Sequence, residues 1–382
     1  MEELPPATRA ADLARKPEFG IPLFGAVVRP LQRFFSLEAS SGIVLLAAAL
    51  AAFLWANVSL ESYAAIFELP IAIGAGALRG TFTLREVIND GLMCLFFFVV
   101  GMEIKRELVI GELRTFRRAA LRAIAALGGM IFPAVIYIAF NREGPARAGW
   151  GVPIATDIAF CIGMLTMLKS RVPQALIVFL TALAIFDDIG GILVIAVFYG
   201  QGVHAGWLMC AALVAIAVAT AGRLRVANGL FYAVGGAALW YALHNGGIHP
   251  TIAGVVLGLA VPAQVLQNPR EVLRELMDHS TRLLRSAGDE ELEHAEILLI
   301  ERRLRRLQSP LTRFVHMLHP FVAFGVMPAF ALANSGISLL SVTGGDLVSP
   351  VTLGIALGLL LGKQLGIFLF TVSAVYFGFA PV

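Results

Sequence analysis

One stretch of the sequence, residues 174–200, combines a membrane-length apolar run with two adjacent carboxylates at its centre, Asp187 and Asp188. Twelve residues without charge precede the pair and eleven follow it. A helix rises about 1.5 Å per residue, so it would cross the roughly 30 Å core of a bilayer with both carboxylates near the midplane. Each charge there costs about 2.5–3.5 kcal/mol on insertion scales. The pair therefore predicts a cation or proton site; the alternative is a structural ion pair with a basic group elsewhere.

Composition extends the membrane assignment to the whole chain. The sequence is 58% hydrophobic and 14% charged, with a mean hydropathy of +0.81, whereas soluble domains average about 25% charged residues. These values predict an all-α polytopic membrane protein surrounded by lipid. The net charge of +3 gives no reason to expect nucleic-acid binding. Cys94, Cys161 and Cys210 lie in apolar segments and are expected to pack there, without a disulfide or metal pattern.

Ten segments are predicted to span the membrane, and the second and eighth are short enough to suggest tilted or partly buried helices. The predicted spans are residues 41–58, 88–104, 123–140, 152–168, 174–200, 204–221, 226–243, 248–262, 314–334 and 351–378.

Basic residues indicate the orientation of these spans. The N-terminal segment and alternate connections carry 24 of the 29 Lys and Arg residues, the other connections carry four, and Lys363 lies within a span. By the positive-inside rule both termini are cytoplasmic. The chain thus divides into a cytoplasmic N-terminal segment, residues 1–40, without the pattern of a cleaved signal peptide, and a transmembrane domain, residues 41–382.

Two connections are predicted to have structure of their own. In residues 69–83, the alternation of Ile71 and Ile73 before a glycine-rich turn predicts a small extracellular hairpin. The cytoplasmic loop insertion, residues 263–313, contains two amphipathic helical patterns within 268–308. We expect this insertion to be solvated; contact of its arginines with anionic lipid is the alternative.

Two more charged side chains fall deep inside predicted spans. Asp157 lies beside Thr156 in a segment interrupted by glycine and proline, and Lys363 has twelve span residues before it. Buried ionisable groups rarely face lipid separately, so we expect these residues to share one polar cavity with Asp187 and Asp188. With all four groups ionised the cavity would carry a net charge of −2. Protons or a hard cation such as sodium or lithium would neutralise it, and their competition for one site would define antiport.

Six stretches resemble the NhaA family of sodium/proton antiporters. They are INDGLMCLFFFVVGMEIKREL at 88–108, GWGVPIATDIAF at 149–160, LTALAIFDDIGGILVIAVFYG at 180–200, GGIHPTIAGVVLGLAVP at 246–262, HMLHPFVAFGVMPAFALANSGI at 316–337 and LGLLLGKQLGIFLF at 357–370.

The resemblance implies an inverted-repeat transporter with discontinuous helices, not an enzyme, in the bacterial inner membrane. It implies export of Na+ or Li+ in exchange for more than one H+, electrogenic and pH-regulated, without a cofactor. It implies that Asp188 is the principal carboxylate, that Na+ is bound by Asp188, Asp187 and Thr156, and that Lys363 balances the charge of Asp187. Asp157 would lie with Thr156 where an unwound helix crosses its partner. A homodimer through the 69–83 hairpin is implied as well.

The resemblance also implies a pH sensor at the cytoplasmic ends of the second and ninth helices. Ordinary interfacial salt bridges are the alternative for its first four residues, and packing or capping is the alternative for His319. The family usually has Glu where this sequence has Val315, which affects the alkaline set-point. The implied sensor residues are Glu103, Lys105, Arg106, Glu107, His316 and His319.

The family has twelve spans, whereas ten are predicted here. We expect residues 1–382 to lack the last two helices and to transport poorly or not at all. The leading alternative function is a transport-inactive antiporter fragment or a non-transporting membrane subunit. A retinal-bound proton pump is disfavoured by the ten spans and the adjacent Asp pair. An intramembrane aspartyl protease needs two opposed carboxylates on separate helices; Asp157 and Asp188 would match that arrangement, but no further motif supports acid/base work on a peptide bond.

Overall fold

The computed structural model describes most of the chain. Within these parts it is helical apart from one two-stranded sheet. The described residues are 38–73, 80–111, 116–154, 172–200, 202–264, 269–285, 297–300, 308–341 and 344–378.

The helices and strands follow the apolar segments of the sequence closely. We number them in chain order: α1 Glu38–Val58, α2 Leu60–Phe67, β1 Pro70–Ile73, β2 Gly80–Thr83, α3 Leu84–Val109, α4 Phe116–Phe140, a 3-10 helix Pro145–Ile154, α5 Gln174–Phe198, α6 Ala205–Arg223, α7 Gly229–Gly246, α8 Ile252–Ala260, α9 Pro269–Arg285, α10 Pro310–Asn334, a second 3-10 helix Leu339–Ser341, α11 Gly344–Leu347 and α12 Pro350–Tyr376.

Seven of the described helices are long and apolar enough to cross a membrane: α1, α3, α4, α5, α6, α10 and α12. Helix α1 shows the lipid-facing pattern, because Ile43, Leu46, Leu50 and Leu54 are each more than half exposed along one side. The all-α membrane class is therefore confirmed. The count of ten spans stays a prediction, since α7 and α8, which cover most of the predicted spans 226–243 and 248–262, are not among the seven. Most of the predicted span 152–168 lies outside the described residues.

Residues 69–83 contain two antiparallel strands. Ile71 pairs with Phe82, and Ala72 pairs with Thr81. A capping box then joins the hairpin to α3, because the Thr83 side chain accepts from the Glu86 N–H at 3.1 Å while the Glu86 carboxylate accepts from the Thr83 N–H at 2.7 Å. The hairpin is thereby fixed to the start of a spanning helix.

Helices α3, α6, α7, α8 and α10 form one group, which we call the apolar bundle. Its core is built from fully buried side chains such as Met102, Leu239 and Leu311. The backbones of α3 and α8 touch through glycine: a Cβ atom added to Gly101 would lie 2.7 Å from the carbonyl oxygen of Val255. Close packing of this kind gives dispersion contacts that helices in lipid need for association.

Helices α4, α5 and α12, with the first 3-10 helix, form a second group, which we call the charged bundle. Gly128 of α4 and Gly366 of α12 face each other so closely that a Cβ on either would collide with the other's carbonyl oxygen. Asn141, at the end of α4, donates from Nδ2 to the carbonyl oxygen of Pro350 at 3.0 Å. Helix α4 is thus held against α12 along its length.

Three of the long helices contain a wide turn of π-helical type. These turns lie at Val87–Leu92 in α3, Val322–Val326 in α10 and Gly358–Gly362 in α12. In the last of them the backbone N–H of Lys363 donates to the carbonyl oxygen of Gly358, five residues earlier. Such turns occur frequently at functional sites.

Helix α9 occupies the first of the two amphipathic patterns in the predicted cytoplasmic insertion. It covers Pro269–Arg285, and residues 297–300 of the second pattern are also helical. The remainder of the second pattern lies outside the described residues.

Candidate functional site

The two adjacent carboxylates lie on α5, which is a continuous helix of the charged bundle. Asp187 is buried, with 4% of its surface exposed, and Asp188 is half-buried. Successive residues on a helix point about 100° apart. The two carboxylates therefore face different surroundings.

Lys363 of α12 forms an ion pair with Asp187. Its Nζ atom lies 2.8 Å from Oδ2 of Asp187, and the two side chains are 13% and 3% exposed. The same ammonium donates to the carbonyl oxygen of Ile154 at 3.0 Å. One cation therefore connects α12, α5 and the end of the first 3-10 helix inside the charged bundle.

Helix α4 positions the two partners of this ion pair. It packs against α12 at the Gly128–Gly366 contact, and on its other side Met130 lies against Gly190 of α5. Between these contacts, a Cβ atom added to Gly129 would lie 3.8 Å from Oδ1 of Asp187. The α4 backbone at Gly129 thus lies beside the carboxylate, at a distance that would also accommodate a methyl group.

The electrostatics of the site follow from these contacts. A buried carboxylate and a buried ammonium within 2.8 Å balance each other's charge, which offsets much of the desolvation cost of each. One ammonium balances one carboxylate, and Asp188 supplies a second carboxylate at the next position. Oxygen ligands of this type suit a small hard cation.

The implied sensor residues occupy the ends of α3 and α10. Glu103 of α3 lies within electrostatic range of His319 of α10 and of Arg106 on its own helix, so the ends of the two helices are near each other. His316 is exposed, whereas Val315 is 6% exposed and packs in the core of the apolar bundle. An apolar side chain at position 315 therefore fits its surroundings.

Comparison with known proteins identifies the family. The sequence profile described as Na+/H+ antiporter 1 matches residues 32–382. The chain belongs to this family. Its members are secondary transporters, so the chain is a transporter and not an enzyme.

Two relatives in the family are similar over nearly the whole chain. The Na(+)/H(+) antiporter NhaA of Anaeromyxobacter sp. (strain Fw109-5) is 57% identical over 95% of this chain and 79% of its own length. The Na(+)/H(+) antiporter NhaA 1 of Myxococcus xanthus (strain DK1622) is 54% identical over 100% of this chain and 84% of its own length.

Two predicted site residues of this family member, Thr156 and Asp157, lie outside the described residues. The chain enters their segment directly after Ile154, whose carbonyl oxygen accepts from Lys363. Among the described site residues, the structure brings Asp187 and Lys363 into contact and places Asp188 at the next position of α5. The roles of these residues in transport stay predictions.

Sequence reasoning missed the polar contacts that hold the first 3-10 helix in the charged bundle. The Tyr199 hydroxyl, just after α5, accepts from the Gly151 N–H at 3.0 Å and donates to the carbonyl oxygen of Ala148 at 2.6 Å. On the other side, the Tyr137 hydroxyl donates to the carbonyl oxygen of Ala146 at 2.7 Å. The signal in the sequence was a tyrosine in otherwise apolar surroundings, near the end of α4 for Tyr137 and just after α5 for Tyr199.

Proposed function

We propose that this chain exports Na+, and also Li+, across the bacterial inner membrane in exchange for protons. The observation that carries the proposal is the buried Asp187–Lys363 pair beside Asp188 in a membrane helix. Membership in the Na+/H+ antiporter 1 family supports the same transport reaction. Sodium, lithium and protons are substrates here, and no cofactor is part of the proposal.

Competition between proton and cation is the proposed basis of exchange. Asp187, Asp188 and Lys363 together carry a net charge of −1 when all are ionised, and Asp157 would bring the set to −2, so protons and Na+ would compete to neutralise the same carboxylates. We assign the principal carrier to Asp188, because Lys363 already balances Asp187. Thr156 and Asp157 complete the proposed ligand set from the segment after Ile154.

Electrogenic exchange requires a second proton for each Na+, and we assign it to the ion pair. A Na+ that is coordinated by Asp187 takes away the partner of the Lys363 ammonium in a poorly solvated site. An unbalanced charge there is strongly disfavoured, so Na+ binding would be accompanied by the loss of one positive charge from the pair. Exchange of more than one H+ per Na+ would follow.

The test is transport by the whole chain and by Asp188→Asn in proteoliposomes. We expect the unaltered chain to give sodium-driven dequenching of a pH-sensitive dye, at a low rate but above that of protein-free liposomes, and Asp188→Asn to abolish it. Asp346→Asn is the matched control, because Asp346 is an exposed carboxylate outside the charged bundle; it should transport normally. Exchange retained by Asp188→Asn, or no exchange by the unaltered chain, would contradict the proposal.

A binding measurement isolates the competition itself. Sodium binding to the purified chain should release protons, so its calorimetric heat should vary with the protonation enthalpy of the buffer. Asp188→Asn should abolish both the heat and its buffer dependence. A sodium-binding heat that is the same in all buffers would refute the shared site.

We also propose that the cytoplasmic ends of α3 and α10 regulate exchange by pH. The support is the proximity of Glu103 to His319 and Arg106, to which Lys105, Glu107 and His316 add further charge. Glu103→Gln and His319→Gln should shift the pH profile of exchange while leaving its maximal rate within about twofold. Arg313→Gln, at an exposed position of α10, should leave the profile unchanged.

Orientation and assembly complete the proposal. The Lys and Arg distribution supports a cytoplasmic N-terminus. The strands at Pro70–Ile73 and Gly80–Thr83 have outer edges that could pair with a second copy, and we propose a homodimer through them. Cross-linking of a single cysteine placed in the hairpin should yield dimers, whereas a cysteine at exposed Ile43 of α1 should not.

A further inference from the structure

The first 3-10 helix, Pro145–Ile154, connects the C-terminal ends of α4 and α5 with the buried ion pair. Its last residue, Ile154, is 2% exposed, and the carbonyl oxygen of that residue accepts from the Lys363 ammonium at 3.0 Å. The preceding Pro153 packs against the wide turn of α12, because a Cβ atom added to Gly358 would lie 3.1 Å from Cβ of Pro153. The end of the 3-10 helix therefore contacts both the lysine and the turn that precedes it.

This helix is poorly held by its own hydrogen bonds. A 3-10 helix joins each N–H to the carbonyl oxygen three residues earlier, and runs longer than three or four residues are uncommon, whereas this one has ten residues. Pro153 has no N–H, so the bond that the pattern would place between it and the carbonyl oxygen of Trp150 cannot form. The turn just before Ile154 thus needs contacts from neighbouring elements to hold its place.

The Tyr199 hydroxyl, just after α5, supplies such a contact. It accepts from the Gly151 N–H at 3.0 Å and donates to the carbonyl oxygen of Ala148 at 2.6 Å. These two backbone groups are three residues apart, so they are a pair that the 3-10 pattern would join to each other. The hydroxyl therefore binds both members of one hydrogen-bonding pair of the helix. A Cβ atom added to Gly151 would lie 2.7 Å from the hydroxyl oxygen, so the close approach requires glycine.

The ring of Tyr199 fixes the same helix from the side. The Trp150 ring packs against the rings of Phe198 and Tyr199, with centroids 5.0 and 6.5 Å apart. A tyrosine that only anchors a helix at the membrane surface directs its hydroxyl to water or lipid headgroups. This hydroxyl instead uses a donor and an acceptor on one stretch of backbone, which indicates a role in placing that backbone.

We propose that Tyr199 is a positioning residue, whose hydroxyl fixes the 3-10 helix so that the Ile154 carbonyl oxygen meets the Lys363 ammonium. Ile154 and Asp187 share that ammonium. When the carbonyl oxygen is displaced, the Asp187 carboxylate becomes the main acceptor of the ammonium and is held more firmly, so it is a poorer ligand for Na+. This consequence for sodium rests on the proposed transport function, whereas the placement of Lys363 does not.

The test of placement is a double-mutant cycle that needs no sodium. Tyr199→Phe removes the hydroxyl and keeps the ring. Its effect would be measured by unfolding titrations in the unaltered chain and in Asp187→Asn/Lys363→Met, which removes both charges and should remain folded. In the unaltered chain it should raise the unfolding equilibrium constant about tenfold. In the charge-free background the rise should be only about threefold, because no ammonium remains to be positioned.

The matched control is Tyr232→Phe in the apolar bundle. The hydroxyl of Tyr232 also donates to a backbone carbonyl oxygen, that of Val226, at 3.1 Å. Its loss should raise the unfolding equilibrium constant by the same factor, within about twofold, in both backgrounds. If Tyr199→Phe also has the same effect in both backgrounds, the proposal is overturned.

Sodium binding supplies a second measurement. The calorimetric affinity for Na+ should be about fivefold weaker in Tyr199→Phe, and it should be unchanged in Tyr232→Phe. An affinity in Tyr199→Phe equal to that of the unaltered chain would overturn the link between the hydroxyl and the ion site. An unaltered chain that binds no sodium would contradict the proposed function instead, and the double-mutant cycle would still decide the positioning role.

Discussion

The apolar bundle and the charged bundle both bring helix backbones together through glycine, yet they surround different chemistry. In the apolar bundle, Gly101 faces α8 and the core is made of side chains such as Leu239. In the charged bundle, Gly128 faces Gly366 within two helical turns of a buried ion pair. Tight packing is therefore the shared scaffold, and the Asp187–Lys363 ion pair distinguishes the bundle to which we assign transport. Substitutions that disturb packing and substitutions that remove a charge should then differ in their effects on stability and on sodium affinity.

The largest effect is expected from breaking the ion pair. Lys363→Met leaves Asp187 buried without its cation and should lower the free energy of unfolding by about 3–5 kcal/mol. The double variant Asp187→Asn/Lys363→Met removes both charges and should recover most of that loss. Unfolding titrations of the purified chain in mixed micelles would measure both. A single variant as stable as the double variant would show that Asp187 without its cation does not destabilise the fold.

A substitution in the core of the apolar bundle should lower stability without changing sodium affinity. Leu239→Ala removes a side chain that is 1% exposed and should cost about 2–5 kcal/mol through the cavity it leaves. Leu230→Ala, on the same helix but 71% exposed, should cost little. Both variants should keep the apparent sodium affinity of the unaltered chain in proteoliposomes. A changed affinity in Leu239→Ala would mean that the apolar bundle participates in ion binding.

Glycine contacts offer a comparison inside the charged bundle. Gly366→Ala forces a methyl group against the backbone of Gly128 and should cost about 1–3 kcal/mol. Gly191→Ala is the control, because a methyl group there meets nothing within 4 Å and alanine favours the helix by about 0.5–1 kcal/mol. Thermal midpoints should move in opposite directions. The contact is not tight if both midpoints rise.

The smallest effect is expected at helix caps, which the two bundles share. Ser309 at the start of α10 and Ser349 at the start of α12 each accept a backbone N–H three residues on, both at 3.2 Å. Ser→Ala at either position should cost about 1 kcal/mol, and Ser→Thr should cost less. Denaturation curves of the four variants would check this. A large difference between the two caps would indicate that one has a role beyond capping.

Much of the fold could be predicted from apolar segments and charge. The predicted span 174–200 agrees with α5 at Gln174–Phe198, because a long apolar run leaves few alternatives to a membrane helix. Helix α2 at Leu60–Phe67 was not predicted. The polar residues Ser59 and Glu61 made the segment look like a loop between two spans. The helix is stabilised by tertiary contact, because Tyr63 packs against α10.

The members of the candidate site were predictable from depth and charge, whereas the pairing of Lys363 with Asp187 was predicted only from the family resemblance. Depth and charge select Asp187, Asp188 and Lys363 without any structure. They do not determine which carboxylate meets the lysine, because adjacent residues on α5 differ only in direction around the helix. That choice depends on the approach of α4 and α12, which Gly129 and Gly366 permit at close range. The hydrogen bond from Lys363 to the carbonyl oxygen of Ile154 could not be predicted either, because every residue has a backbone carbonyl group and the sequence does not show which one accepts.

The wide turn at Gly358–Gly362 has a consequence for the lysine that follows it. Such a turn contains one residue more than an ordinary helical turn, so every side chain beyond it is rotated by about 100° relative to an uninterrupted helix. Lys363 is the first residue past the turn. Deleting one residue between 358 and 362 would swing its ammonium away from α5 and leave both members of the ion pair chemically intact. The length of this five-residue segment is therefore as strict a requirement for the site as the identity of the charged residues themselves.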